Sequence, residues 1–128
     1  MIGTMIVAVV DDLLFSSKIR SVADQAACPI AFVRRADAVL PEVRDKRPTL
    51  VIIDLDRASL DPIGAVRALK VDPELRETRV VGFVSHVHAD TIASAREAGI
   101  DVVLARSAFV TSLPKLVAEA AGVTRNAE

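Results

Sequence analysis

The sequence has no Trp, no Tyr and only four Phe. A core must then be built from aliphatic side chains, and modules that stack bases on aromatic rings are disfavoured. The single cysteine, Cys28, excludes an intramolecular disulfide and a structural zinc site built on cysteines. A small buried apolar role is the simplest one for it. Neither sign of charge is in excess, and the formal net charge is −1, so nothing in the balance points to DNA, RNA or anionic lipid. The apolar start, residues 5–10, is far too short to span a bilayer. It has no basic segment ahead of it and runs directly into Asp11-Asp12, unlike a signal peptide. A soluble cytoplasmic protein, with no membrane or nucleic-acid partner for this domain, is expected.

What the chain does have is a 52% hydrophobic composition over 128 residues, enough for one domain with a sizeable core. Five apolar runs, at 5–10, 30–33, 50–53, 80–84 and 102–104, alternate with five helical patterns. Phe15, Ile19, Val22 and Ala26 form a stripe at three- and four-residue spacing. A second helix is expected over about 37–46, with Pro41 bending or delaying its start. Asp61-Pro62 reads as an N-cap followed by Pro at the first helical position, leading a helix with Ile63, Val66 and Leu69 on one side. A fourth helix over about 89–98 stops at Gly99. A fifth carries Phe109, Leu113, Leu116, Val117 and Ala120 and ends at Gly122. Strict alternation of this kind predicts an α/β fold, a five-stranded parallel sheet with helices on both faces. One domain over 1–122 and a polar tail over 123–128 are expected, either standing alone or as part of a larger protein.

The run at 50–53 is the centre of the pattern. Pro48 cannot donate to a sheet, so the strand starts after it. Leu50, Val51, Ile52 and Ile53 then run into Asp54, as in a central parallel strand buried on both faces. The carboxyl end of such a strand is where open α/β sheets bind ligands. The other strands also end in polar groups: Asp11-Asp12 after the first, Ser85 after the fourth and Arg106 after the fifth. A parallel sheet brings all of them to one edge. Close carboxylates repel one another, so a cation is the natural remedy, and hard oxygen donors without His or Cys suit Mg²⁺. Ser85 and Arg106 suit a negatively charged tetrahedral group, and the whole set suits phosphoryl transfer by positioning and charge.

On these residues the chain resembles a response-regulator receiver domain of two-component signalling, over nearly its whole length. The resemblance rests on Asp11-Asp12, on Asp54, on Asp61-Pro62 where the family usually has Asp-Gly, and on Ser85. It implies the (βα)5 flavodoxin-like fold. It implies that Asp54 accepts a phosphoryl group from a histidine kinase or phosphotransfer protein. Asp11, Asp12 and Asp54 would bind Mg²⁺ together with the backbone carbonyl of Asp56, and Ser85 would bind a phosphoryl oxygen. A downstream effector, or a second copy of the chain, would meet the fourth helix, fifth strand and fifth helix. The sequence departs from the pattern where Arg106-Ser107 replaces the usual Lys-Pro. It departs again at Val103, in place of the switch aromatic, and in the loop 55–59, which lacks the usual Pro. A guanidinium is planar and less adaptable than an ammonium.

Other readings stand beside this one. Asp11 or Asp12 suffices as an N-cap, Ser85 suits capping of the fourth helix, and Arg106 suits a salt bridge to Asp12 or Asp54. Arg57 suits an offset to the charge of Asp56. His86 and His88 have a spacing open to a transition metal, or are simply exposed loop residues. A degenerate pseudo-receiver would use the fold for interaction without phosphorylation. Asp54-Leu55-Asp56 also looks like the Asp-x-Asp motif of haloacid-dehalogenase-type phosphatases, with Asp56 as general acid. The acidic pair precedes the nucleophile here, opposite to that family, so a phosphoacceptor domain rather than an enzyme is expected.

Overall fold

A computed structural model describes residues 5–85 and 88–122. Five strands, β1 (Ile6–Val9), β2 (Ile30–Val33), β3 (Leu50–Asp54), β4 (Arg79–Val84) and β5 (Val102–Ala105), form one sheet in the order β2-β1-β3-β4-β5. Every pairing is parallel. The helices are α1 (Leu13–Gln25), α2 (Val39–Lys46), α3 (Pro62–Val71), α4 (Ala89–Ala98) and α5 (Arg106–Ala120). The tail over 123–128 and His86 lie outside the described residues.

Period-two alternation divides each strand between two cores. Ile6, Ala8, Leu50, Ile52, Val81 and Phe83 pack with α1 and α5. Val7, Val9, Val51, Ile53, Val80 and Val84 pack beneath α2, α3 and α4. β3 is buried along its whole length, Asp54 included, because it has a strand on each side and helices on each face. The expected stripe on α1 is rotated slightly: Ser16 and Ala23 join Phe15 and Ile19 in the core, while Val22 and Ala26 are only partly buried. All five apolar residues expected on α5 are buried.

Local signals set the helix ends. A single turn of 3-10 helix over Ala36–Ala38 precedes α2, which places Pro41 in the first turn, where its missing N–H costs nothing. The Asp61 carboxylate accepts from the Gly64 N–H at 3.3 Å and caps α3. Gly99 takes a positive φ of 104° after α4. The capping alternative for Ser85 does not hold, since α4 begins four residues further on, at Ala89, with His88 at the cap position and no side-chain capping hydrogen bond. Pro114 stands inside α5, a position that periodicity alone did not reveal.

One glycine shapes the approach to the sheet's carboxyl edge. A Cβ on Gly82 of β4 would meet the side chains of Leu55 and Ile100 at 2.8 Å each. The missing methyl lets Leu55, directly after Asp54, tuck against β4, where its N–H donates to the Phe83 carbonyl at 3.0 Å. Gly82→Ala is expected to destabilise the domain by about 1–3 kcal/mol through overpacking, read from the midpoint of urea unfolding. An unchanged midpoint would show that Leu55 moves aside freely.

Candidate functional site

Asp11, Asp12, Asp54, Ser85 and Arg106 come together at the carboxyl edge of the sheet, as the sequence predicts. Asp54 closes β3 and is only 5% exposed. Its parity is that of Leu50 and Ile52, so it belongs to the α1/α5 face. Its Oδ1 accepts the Asp56 N–H at 2.9 Å, a turn closed by the side chain itself. Its Oδ2 receives no hydrogen bond from any described residue. Burial pushes the Asp54 carboxyl above the ordinary range. The Asp56 N–H pulls it back, the Asp56 charge raises it further, and Arg106 and Arg57 lower it.

Asp12 is the N-cap of α1: its Oδ1 accepts the Phe15 N–H at 3.0 Å. That bond holds the carboxyl below its usual range, with a further pull from Arg106. Arg106 is the first residue of α5, directly after β5, so side chain and helix N-terminus bring positive charge to one place. The guanidinium is held from several sides. It donates to Ser85 Oγ at 3.3 Å, reaches Asp12 Oδ2 at 3.5 Å, and lies 4.0 Å from the centre of the Phe15 ring. Phe15, Phe83 and Phe109 are in mutual ring contact beneath it, with centroids 4.8 to 5.8 Å apart. An aromatic face attracts a guanidinium and fits its plane. A lysine ammonium here would not stack on that platform in the same way. Of the two salt bridges open to Arg106 in the sequence, the one to Asp12 forms.

Asp11 has a different partner. Arg57 Nη2 donates to its Oδ2 at 2.9 Å, and Nε lies 2.8 Å from its Oδ1. Asp11 Oδ1 is buried, and the nearby Nε is not aligned to give it a hydrogen bond. The bond to Asp11 raises the Arg57 pKa above its ordinary value. So Arg57 serves Asp11 first, rather than Asp56 as the sequence suggested. Asp56 uses its own carboxylate, whose Oδ2 accepts the Ser85 N–H and ties the loop after β3 to the end of β4. Sequence reasoning missed three roles: Arg57 on Asp11, Phe15 beneath Arg106, and the Asp56 side chain. Charge balance was the available signal for the first, since a long cation three residues past Asp54 sits beside several carboxylates.

The residue types suit a hard divalent cation, but their arrangement does not fit one. Among the described residues no group of three or more His, Cys, Asp or Glu is placed to hold a metal ion. A guanidinium stands at each β1-end carboxylate instead. His88 is exposed at the start of α4, and its companion in that spacing, His86, lies outside the described residues. Cys28 is buried, as expected.

A parallel sheet in the order 2-1-3-4-5, with a buried carboxylate at the end of the central strand, has close structural counterparts. A response regulator from Hahella chejuensis matches with a TM-score of 0.82 and 19% identity, over 96% of this chain and 98% of its own. The receiver domain of the sensor histidine kinase PA1611 from Pseudomonas aeruginosa, described with a magnesium ion in its active-site cleft, matches with a TM-score of 0.79 and 16% identity, over 94% and 98%. The phosphorylated cyanobacterial phytochrome response regulator RcpA matches with a TM-score of 0.76 and 20% identity, over 94% and 91%. This is the receiver fold. No protein-family model and no curated protein sequence matches the chain. No helix among the described residues is long and apolar enough to cross a membrane.

The raised pKa of Asp54 has a consequence for stability. Folding disfavours its charged form, so Asp54 favours the folded state only while protonated, and that contribution is lost as pH rises through the folded value. Asp54→Asn is therefore expected to stabilise the protein at pH 7, by on the order of 1 kcal/mol. The gain should shrink as pH falls through the raised value toward 3.8, the ordinary value. Thermal melts of both proteins across that window check it; a destabilised variant at pH 7 would contradict the buried-charge account.

Proposed function

We propose that the chain is a receiver module in which Asp54 accepts a phosphoryl group and a protein–protein interaction changes in response. The observation that carries this reading is the Asp54 carboxylate: buried, with Oδ1 held by the Asp56 N–H and Oδ2 left open. In the transfer, an Asp54 oxygen attacks the phosphorus of a phosphohistidine on a kinase or phosphotransfer protein. The P–N bond breaks, and the imidazole leaves and takes up a proton. The acyl phosphate brings about two negative charges into the crevice. Arg106 is the cation that meets them, already oriented by the Phe15 ring and in contact with the Ser85 hydroxyl.

Reorientation of Ser85 and Arg106 toward the phosphoryl oxygens would loosen their present contacts with Asp56 and Asp12. That carries the change to the start of α4 and to β5 and α5, the surface proposed for a downstream effector or a second copy. Mg²⁺ on Asp11, Asp12, Asp54 and the Asp56 carbonyl belongs to this reading only in a conformation where Arg57 has left Asp11. A cytoplasmic location belongs to it as well. The phosphatase reading is weaker, because the Asp56 carboxylate already accepts the Ser85 N–H and is not poised as a general acid. One observation favours a phosphorylation-independent pseudo-receiver: a guanidinium at each of the two β1-end carboxylates.

Two measurements test the proposal. Incubation with acetyl phosphate, with and without Mg²⁺, should add the mass of one phosphoryl group, and Asp54→Asn should abolish the addition. Beryllofluoride binding should weaken by roughly tenfold or more in Arg106→Ala, the scale of one lost charge-assisted contact, and be largely kept in Arg106→Lys. If the wild type fails to bind and Arg106→Lys does not restore binding, the pseudo-receiver takes the place of this reading.

A further inference from the structure

We propose that Arg57 is the resident cation of this site, standing where a divalent ion would sit and keeping one out. Three observations support it. Arg57 approaches both oxygens of Asp11, at 2.8 and 2.9 Å. Asp11 Oδ1 is buried without a hydrogen bond from any described residue, and the charge of that guanidinium lies 2.8 Å from it. The Arg57 side chain is itself about half exposed (52%), so it can leave the carboxylate without disturbing the core.

The chemistry follows from charge. Asp11, Asp12, Asp54 and Asp56 bring four carboxyl groups to one edge, and Arg57 and Arg106 return two positive charges. A tethered guanidinium loses no translational entropy on binding, unlike a free ion, so a divalent ion must compete with a cation that is always at hand. A divalent ion must displace it, strip its own water and endure a neighbouring cation that has lost its partner. Arg57 thus sets the threshold at which the site responds to Mg²⁺. Arg106 is engaged elsewhere, on Asp12, Ser85 and the Phe15 ring.

The proposal does not depend on phosphorylation, and its test uses no phosphoryl donor, so it fails or stands separately from the receiver reading. The probe is Mn²⁺ added to the full chain, followed by paramagnetic broadening of the amide signals of residues 11, 12 and 54–56. In the wild type these signals should broaden only at high Mn²⁺. Arg57→Ala should broaden them at concentrations lower by on the order of tenfold, the scale of one removed neighbouring charge. Arg57→Met should match it, because it keeps the side-chain bulk and loses only the charge. The dispersed amide spectrum reports that each variant is folded. Equal broadening in wild type and Arg57→Ala would overturn the proposal, and so would no broadening in either variant.

Discussion

Carboxylates crowded at one sheet edge repel one another, and one of them, Asp54, is also largely withdrawn from water. That constraint governs the rest of the site. Burial alone makes the charged form of Asp54 costly. The protein answers with a backbone N–H from Asp56, with Arg106 across the sheet, and with Arg57 from the following loop. Each answer fixes a piece of geometry: the turn after β3, the first residue of α5, and the path of residues 55–59. The sheet beneath is the stiff part that holds these pieces in register, since β3 is buried on both faces and bonded on both sides.

Arg106 illustrates how a residue change alters its surroundings. A guanidinium needs a flat surface and a forked acceptor set, and the three phenylalanines clustered below it supply the first. With no Trp or Tyr anywhere, three of the four Phe in the chain are spent on this cluster. The fourth, Phe32, lies on edge strand β2 with Arg20 and Arg34 at 5.0 and 5.4 Å from its ring centre. Aromatic side chains are thus used mainly where a guanidinium must be placed, while aliphatic ones fill the bulk of the core.

Much of this was legible in the sequence, for a physical reason. Buried parallel strands are continuous apolar runs, and helix ends carry their own chemistry at Asp12, Asp61 and Gly99, so strands and helices fell within a residue or two of their observed limits. The polar residue after each strand is placed by topology alone, which brought Asp54, Ser85, Asp11, Asp12 and Arg106 to one edge. Pairings between long flexible side chains are another matter. Arg57 could reach several carboxylates, and only the path of its loop decides for Asp11. Phe15 looked like one more core residue because hydrophobic spacing says nothing of what lies on the outer face of a ring. Asp56 was read through its backbone, and its carboxylate turned out to bridge to Ser85.

Asp12, Phe15 and Arg106 form a closed circuit. The carboxylate of Asp12 accepts from the amide of Phe15, the ring of Phe15 carries Arg106, and Arg106 returns to the carboxylate of Asp12. One helix contributes two members and another contributes the third. A slide or rotation of α1 against α5 strains both links to Arg106 at once, while the Asp12–Phe15 bond travels with α1. The circuit therefore acts as a gauge of helix alignment, turning small shifts between two packed helices into a displaced charge beside Asp54.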